Sequence, residues 1–80
     1  MLIKLISINH EVNRNRFYEI NDLQLSLWDD NYILELHWGR IGTQGRKKAL
    51  YFNSENVMIK EVGRRLQIRN RHNYVINESQ

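Results

Sequence analysis

The sequence predicts an α+β fold, a small antiparallel β-sheet of about four strands packed with one C-terminal α-helix. Three observations carry this. Four runs rich in apolar, β-branched and aromatic residues precede Asn53; short polar or glycine-bearing turns separate them; and after Ser54 the apolar spacing changes from two to three and four. Strands joined by tight turns run antiparallel, because a parallel return needs a crossover of a dozen residues or more.

The first strand spans Leu2 to Asn9, with Leu2, Ile6 and Ile8 on one face and Ile3 and Leu5 on the other. Apolar residues on both faces suit a central position or a covered end. A polar connection, residues 10–15, leads to a second strand from Arg16 to Leu27. Its alternation slips near Asn21-Asp22, which marks a candidate β-bulge. Asp29-Asp30-Asn31 forms an acidic turn, with Trp28 at its lip as a structural residue. The third strand, Tyr32 to Ile41, places Tyr32, Leu34, Leu36, Trp38 and Arg40 on one face, where an indole and a guanidinium two residues apart can stack on each other. Gly42 and Gly45 turn the chain into a fourth strand from Arg46 to Phe52.

Ser54 is the N-cap expected of the helix, and Glu55 suits the positive end of its dipole. Met58, Val62 and Leu66, with Ile59 alongside, define the buried stripe. Gly63 falls on the same side and is expected to permit close approach to the sheet. The helix should end near Arg69, Asn73 can take a left-handed capping conformation, and Tyr74-Val75-Ile76 can pair briefly before a flexible tail at 77–80.

Eighty residues make one domain, which buries only about 60–65% of its unfolded surface and has no room for a deep cleft beside its core. No cysteine is present, which excludes disulfide and thiolate chemistry and suits a reducing, cytoplasmic setting. The run at residues 2–8 is too short and interrupted for a signal peptide or membrane span, so a soluble chain without membrane contact is expected. Net charge is +3, but it is segregated. Residues 1–39 hold three positives against six acids, a net −3, and residues 40–74 hold nine positives against Glu55 and Glu61, a net +7. Such an asymmetry directs partner choice more than the total does.

Nothing in the chain reads as an enzyme. His10, His37 and His72 are far apart with no metal-ligand spacing, the serines have no oxyanion loop, and Asp29-Asp30 suits a turn. No cofactor or metal is expected. Gly42-Thr43-Gln44-Gly45 lacks the Lys-Ser/Thr of a phosphate loop and reads as a hairpin, although its amides could hold one phosphate. Arg64, Arg65, Arg69 and Arg71 suit either a solvated, dipole-compensating role or an extension of the basic surface.

Trp38-Gly39-Arg40 followed by Ile-Gly-Thr-x-Gly-Arg resembles the signature of the WGR domain family. Asn13-x-Asn15-Arg16-Phe17-Tyr18 upstream and Phe52-Asn53-Ser54 downstream resemble that family's flanking motifs, so the resemblance covers roughly residues 2–76. It implies a nucleic-acid-binding module, known inside poly(ADP-ribose) polymerases and as short free-standing bacterial proteins. By that resemblance Trp38 would stack on a nucleotide, with Gly39 and Arg40 completing the motif, and Arg46, Lys47, Lys48 and Arg16 would meet phosphate. Sequence-tolerant binding with DNA favoured over RNA is the expectation, by a free-standing monomer or weak homo-oligomer. The alternative is an adaptor that docks on a protein partner through the same face.

Overall fold

The computed structural model describes residues 1–23 and 32–80. The elements are β1 (Leu2–Asn9), a single 3-10 turn (His10–Val12), β2 (Arg14–Asp22), β3 (Tyr32–Arg40), β4 (Arg46–Phe52), α1 (Glu55–Arg71) and β5 (Val75–Ser79). Every strand pairing is antiparallel, in the order β4-β3-β2-β1-β5. Among the described residues the sheet therefore has five strands, β5 being added to the four expected. The residues expected to form a flexible tail complete β5, and Gln80 exchanges backbone bonds of 2.8 and 2.9 Å with Leu2. β5 also explains the two-sided apolarity of β1, which lies between two strands.

The bulge expected at Asn21-Asp22 is not formed. The β2–β3 register is unbroken from Arg16↔Arg40 to Asp22↔Leu34, and Leu23 N still donates to Ile33 O at 3.1 Å. The phase change reflects instead the end of β2 at Asp22. The remainder of the predicted second strand, Trp28 and the acidic turn lie outside the described residues. The register shift that does occur lies between Lys4 and Leu5, opposite β5.

Strand pleating sends Ile3, Leu5 and Ser7, Tyr18 and Ile20, and Leu34 and Leu36 to one face, where Met58 and Val62 of α1 cover them. Burying each such large aliphatic side chain contributes about 1.5–3 kcal/mol. α1 has 17 residues, a length of about 25 Å at about 1.5 Å per residue. It leaves the β4 edge and delivers the chain to β5 at the other edge, a span of about 19 Å at about 4.8 Å per strand spacing. Ser54 sits at the N-cap in extended conformation, without a side-chain capping bond. The far end is a Schellman motif, two residues later than expected. Asn73 has φ 65°, Asn73 N donates to Asn70 O at 3.2 Å, and Tyr74 N donates to Arg69 O at 3.0 Å. That turn folds Tyr74 back against Tyr18, with ring centroids 6.4 Å apart.

Two expectations about α1 fail. Ile59 is 52% exposed, and Gly63 faces open space, with nothing within 4 Å of where a Cβ would stand. Only the Met58–Val62–Leu66 edge of the stripe meets the sheet. Gly63 therefore weakens the helix without serving its packing, and Gly63→Ala is expected to stabilise the domain by up to about 1 kcal/mol. A thermal melt should show a rise of several degrees; a fall would mean that this face is covered.

Candidate nucleic-acid interface

The register builds the site at one end of the helix-covered face. Tyr18 pairs with Trp38, Trp38 with Arg46, Leu36 with Lys48, and Arg16 with Arg40. Side chains directly opposite one another share a face, so β2, β3 and β4 bring Arg16, Trp38, Arg40, Arg46 and Lys48 together at the end of the sheet that the C-terminal part of α1 reaches. Trp38 is half-buried against the core and lines a recess, whereas Arg40 is exposed. Arg40 does not stack on Trp38. Its guanidinium donates to Asn13 Oδ1 at 3.2 Å and ties the strand end to the loop before β2.

The same pleat divides the basic run. Lys47 pairs with His37 on the opposite face, so Lys47 does not join Trp38 while Arg46 and Lys48 do. There His37 Nδ1 lies 3.0 Å from Glu19 Oε1, its Nε2 meets Gln44 O, and the Phe17 ring packs edge-on against it at 4.8 Å. The turn between β3 and β4 is closed by Thr43, whose N and Oγ1 both donate to Arg40 O, at 3.0 and 2.7 Å.

Gly39 and Gly45 have a packing role that the motif alone does not reveal. A Cβ on Gly39 would stand 2.7 Å from Gly45 Cα, and one on Gly45 would collide with the Trp38 carbonyl oxygen and lie 2.8 Å from Phe17 Cζ. The two backbones touch across the hairpin neck beneath the Phe17 ring. Gly45 also has φ 68°, which side-chain-bearing residues resist. This close approach fixes the direction in which Arg46 leaves the turn.

α1 adds the residues that spacing left undecided. The Arg69 guanidinium lies 4.0 Å over the Tyr18 ring and 5.7 Å from that of Tyr74, and its buried Nε has no hydrogen-bond partner among the described residues. Arg65 donates from Nε to Glu61 Oε1 at 2.8 Å and from a terminal nitrogen to the Tyr18 hydroxyl at 3.0 Å. Arg64 turns outward and clamps Glu61 from the solvent side. The Arg64 hydrogen bond, with the positive charge of both arginines, holds the Glu61 carboxyl below the usual carboxylate range against the opposing effect of burial. Thus Arg65 and Arg69 extend the basic surface, Arg64 pairs on the helix exterior, and Arg71 is exposed.

Spacing along the chain does not single out Arg14, Arg69, His72 and Tyr74 as a group. With Arg16 they line a recess of about 230 Å³ beside the Trp38 end. Arg14 and Arg16 share a face because they are two apart on β2, a signal present in the sequence. Their meeting with the end of α1 depends on the crossing of helix over sheet.

Like charges opposite one another destabilise a sheet, and Arg16 faces Arg40 across β2 and β3. The uncovered face of the sheet differs: Lys4 and Lys47 are interspersed there with Glu19, Glu35 and Glu78, and Lys4 pairs with Glu78 at 3.5 Å. Among the described residues no group of histidines and acids could hold a metal ion, and no helix is long and apolar enough to cross a membrane.

A family model described as the WGR domain matches residues 1–80. The chain belongs to the WGR domain family. That family is often linked to nucleic-acid binding in general. No curated protein and no solved structure matches this chain. In this WGR domain the glycine of the motif lies against Gly45 in the hairpin neck, the tryptophan walls the recess, and the arginine anchors the loop before β2.

Proposed function

We propose that this WGR domain is a non-enzymatic module that binds nucleic acid, DNA in preference to RNA and largely without regard to sequence, on the helix-covered face at the Trp38 end. The observation that carries this reading is the gathering of cations around a half-buried indole. Arg14 and Arg16 come from β2, Arg40 from β3, Arg46 and Lys48 from β4, and Arg65 and Arg69 from α1. Such a surface takes phosphate by charge and fixes the strand, while the aromatic face accepts a base or sugar of any sequence. The Arg16–Arg40 pairing in the register supports the same reading, since a phosphate near both would offset the repulsion of like charges. Nothing favours the opposite face, where the acids offset the lysines.

The test is titration of fluorescent single-stranded, blunt and nicked DNA, and matched RNA, at two salt concentrations. Binding through phosphates should weaken steeply as salt rises. Docking on a protein through the same apolar and aromatic patch would leave DNA unbound, or bound with little response to salt. Arg40→Ala should lose its single tie to Asn13, fold almost normally, and still lower affinity by about 1.5–3 kcal/mol. Trp38→Phe should keep most of its packing and weaken the stack, an interaction worth about 1–3 kcal/mol in full. Parental affinity in Arg40→Ala would remove it from the site.

A further inference from the structure

Three guanidinium groups and one imidazole line the recess of about 230 Å³ beside the Trp38 end, and Tyr74 completes its walls. None of these side chains carries a carboxylate, so the recess suits an anion. Arginine keeps its charge at any pH at which a protein is folded, whereas histidine changes charge between about pH 5 and about pH 8. His72 is therefore the one wall of the recess whose charge the solution can set.

The close of α1 holds His72 in place. Its backbone N–H donates to Ile68 O at 3.2 Å and to Arg69 O at 3.0 Å, and Asn73 then turns the chain back. The groups around it are Arg14 and Arg16 from β2, Arg69 from α1, Tyr74 beyond the turn, and the negative end of the helix dipole. Arg69 is fixed over the Tyr18 ring at 4.0 Å. His72 itself is exposed, and its ring makes no hydrogen bond or ion pair among the described residues. His37 differs, because both of its ring nitrogens are engaged, with Glu19 and with Gln44 O on the opposite face.

On the proposed nucleic-acid reading, on which this inference rests, we propose that His72 is a pH-dependent phosphate ligand and that nucleic acid binds at this recess with uptake of a proton. In the free protein a charged imidazole stands among three guanidinium groups. A phosphodiester in the recess places an anion among these like charges, and the imidazolium N–H donates to it with charge assistance. The neutral ring offers one N–H and no charge. The complex thus favours the charged ring more than the free protein does, and by reciprocity protons favour the complex. Acidification should tighten binding, while the three arginines supply a part that does not respond to pH.

The probe is fluorescent dT12 without terminal phosphates, because its phosphodiesters and thymine rings do not change charge in this range. Anisotropy should show about fivefold tighter binding at about pH 5.5 than at about pH 8, the upper end for an exposed ion pair. His72→Gln should bind equally at both, as the parent does at the higher pH. His72→Arg should bind equally at both, as the parent does at the lower. His37→Gln should keep the response. Calorimetry near pH 6.5, in two buffers of different ionisation enthalpy, should show protons taken up by the parent and not by His72→Gln. A merely structural role at the helix end would not produce that difference. Equal parental affinity at the two pH values would overturn the inference and leave the nucleic-acid reading intact, since the arginines hold phosphate at both. Failure to bind at either pH would overturn the underlying reading. A pH response that survives His72→Gln would assign the proton to another group and overturn the role given to His72.

Discussion

Gly45→Ala is expected to destabilise the domain by about 3 kcal/mol or more. Holding a side-chain-bearing residue at a left-handed backbone angle costs about 1–3 kcal/mol, and forcing a methyl group into a packed neck adds roughly 1–3. Both penalties apply at Gly45, where φ is 68° and the added carbon would meet the Trp38 carbonyl and the Phe17 ring. At about 4–8 °C per kcal/mol for a domain of this size, the melting temperature should fall by more than about 12 °C. Gly42→Ala is the control. Gly42 has φ 92° but open space around it, so only the backbone penalty applies and the fall should be less than half as large. Equal falls at the two positions would mean that the turn's conformation, and not the crowding at the neck, is what requires glycine at Gly45.

Arg46→Ala with Lys48→Ala should weaken binding to all DNA sequences far more than Lys47→Ala. The three residues are consecutive, so a view of the basic run as one patch expects comparable effects. The register separates them, with Arg46 and Lys48 beside Trp38 and Lys47 beside His37. Each phosphate left without its cation should flatten the plot of log affinity against log salt by about 0.9 for duplex DNA. The double variant is therefore expected to reduce the slope by nearly 2 and affinity by one to two orders of magnitude, with the slope of Lys47→Ala unchanged. A slope change for Lys47→Ala as large as that for Lys48→Ala would place the nucleic acid over the β4 edge, in reach of both faces.

Much of the architecture is local and therefore legible. Tyr32 to Arg40 alternates because its even positions meet the core, and β4 spans the expected residues because Gly45 ends the turn just before Arg46. Asn73 stops the helix because it tolerates a left-handed angle, a property of one residue type at one position. The misreadings are of another kind. Gly63 and Ile59 follow helical spacing with Met58 and Val62, yet the arc of α1 that meets the sheet is narrower than the apolar stripe. Periodicity gives a face but not the width of the packed arc. Val75 and Ile76 pair with Ile6 and Leu5, in line with the brief pairing expected of them, but side chains exposed from Val75 to Ser79 give no alternation that marks the rest of β5; its full length comes from backbone bonds to the free edge of β1.

The candidate site divides in the same way. Trp38, Gly39 and Arg40 are conspicuous because they are adjacent, and the faces of Arg46, Lys47 and Lys48 follow from a period of two once Trp38 is paired with Arg46. By itself the sequence determined the first four strands, the helix, the glycine turn and the lopsided charge, since each depends on residues within a few positions of one another. Only the tertiary structure decided which cations meet. Arg14 and Arg69 are far apart along the chain, and they line one recess because α1 must cross the sheet from the β4 edge to reach β5. That crossing places the end of the helix, with Arg65, Arg69 and His72, over the strand ends that carry Arg14, Arg16 and Trp38.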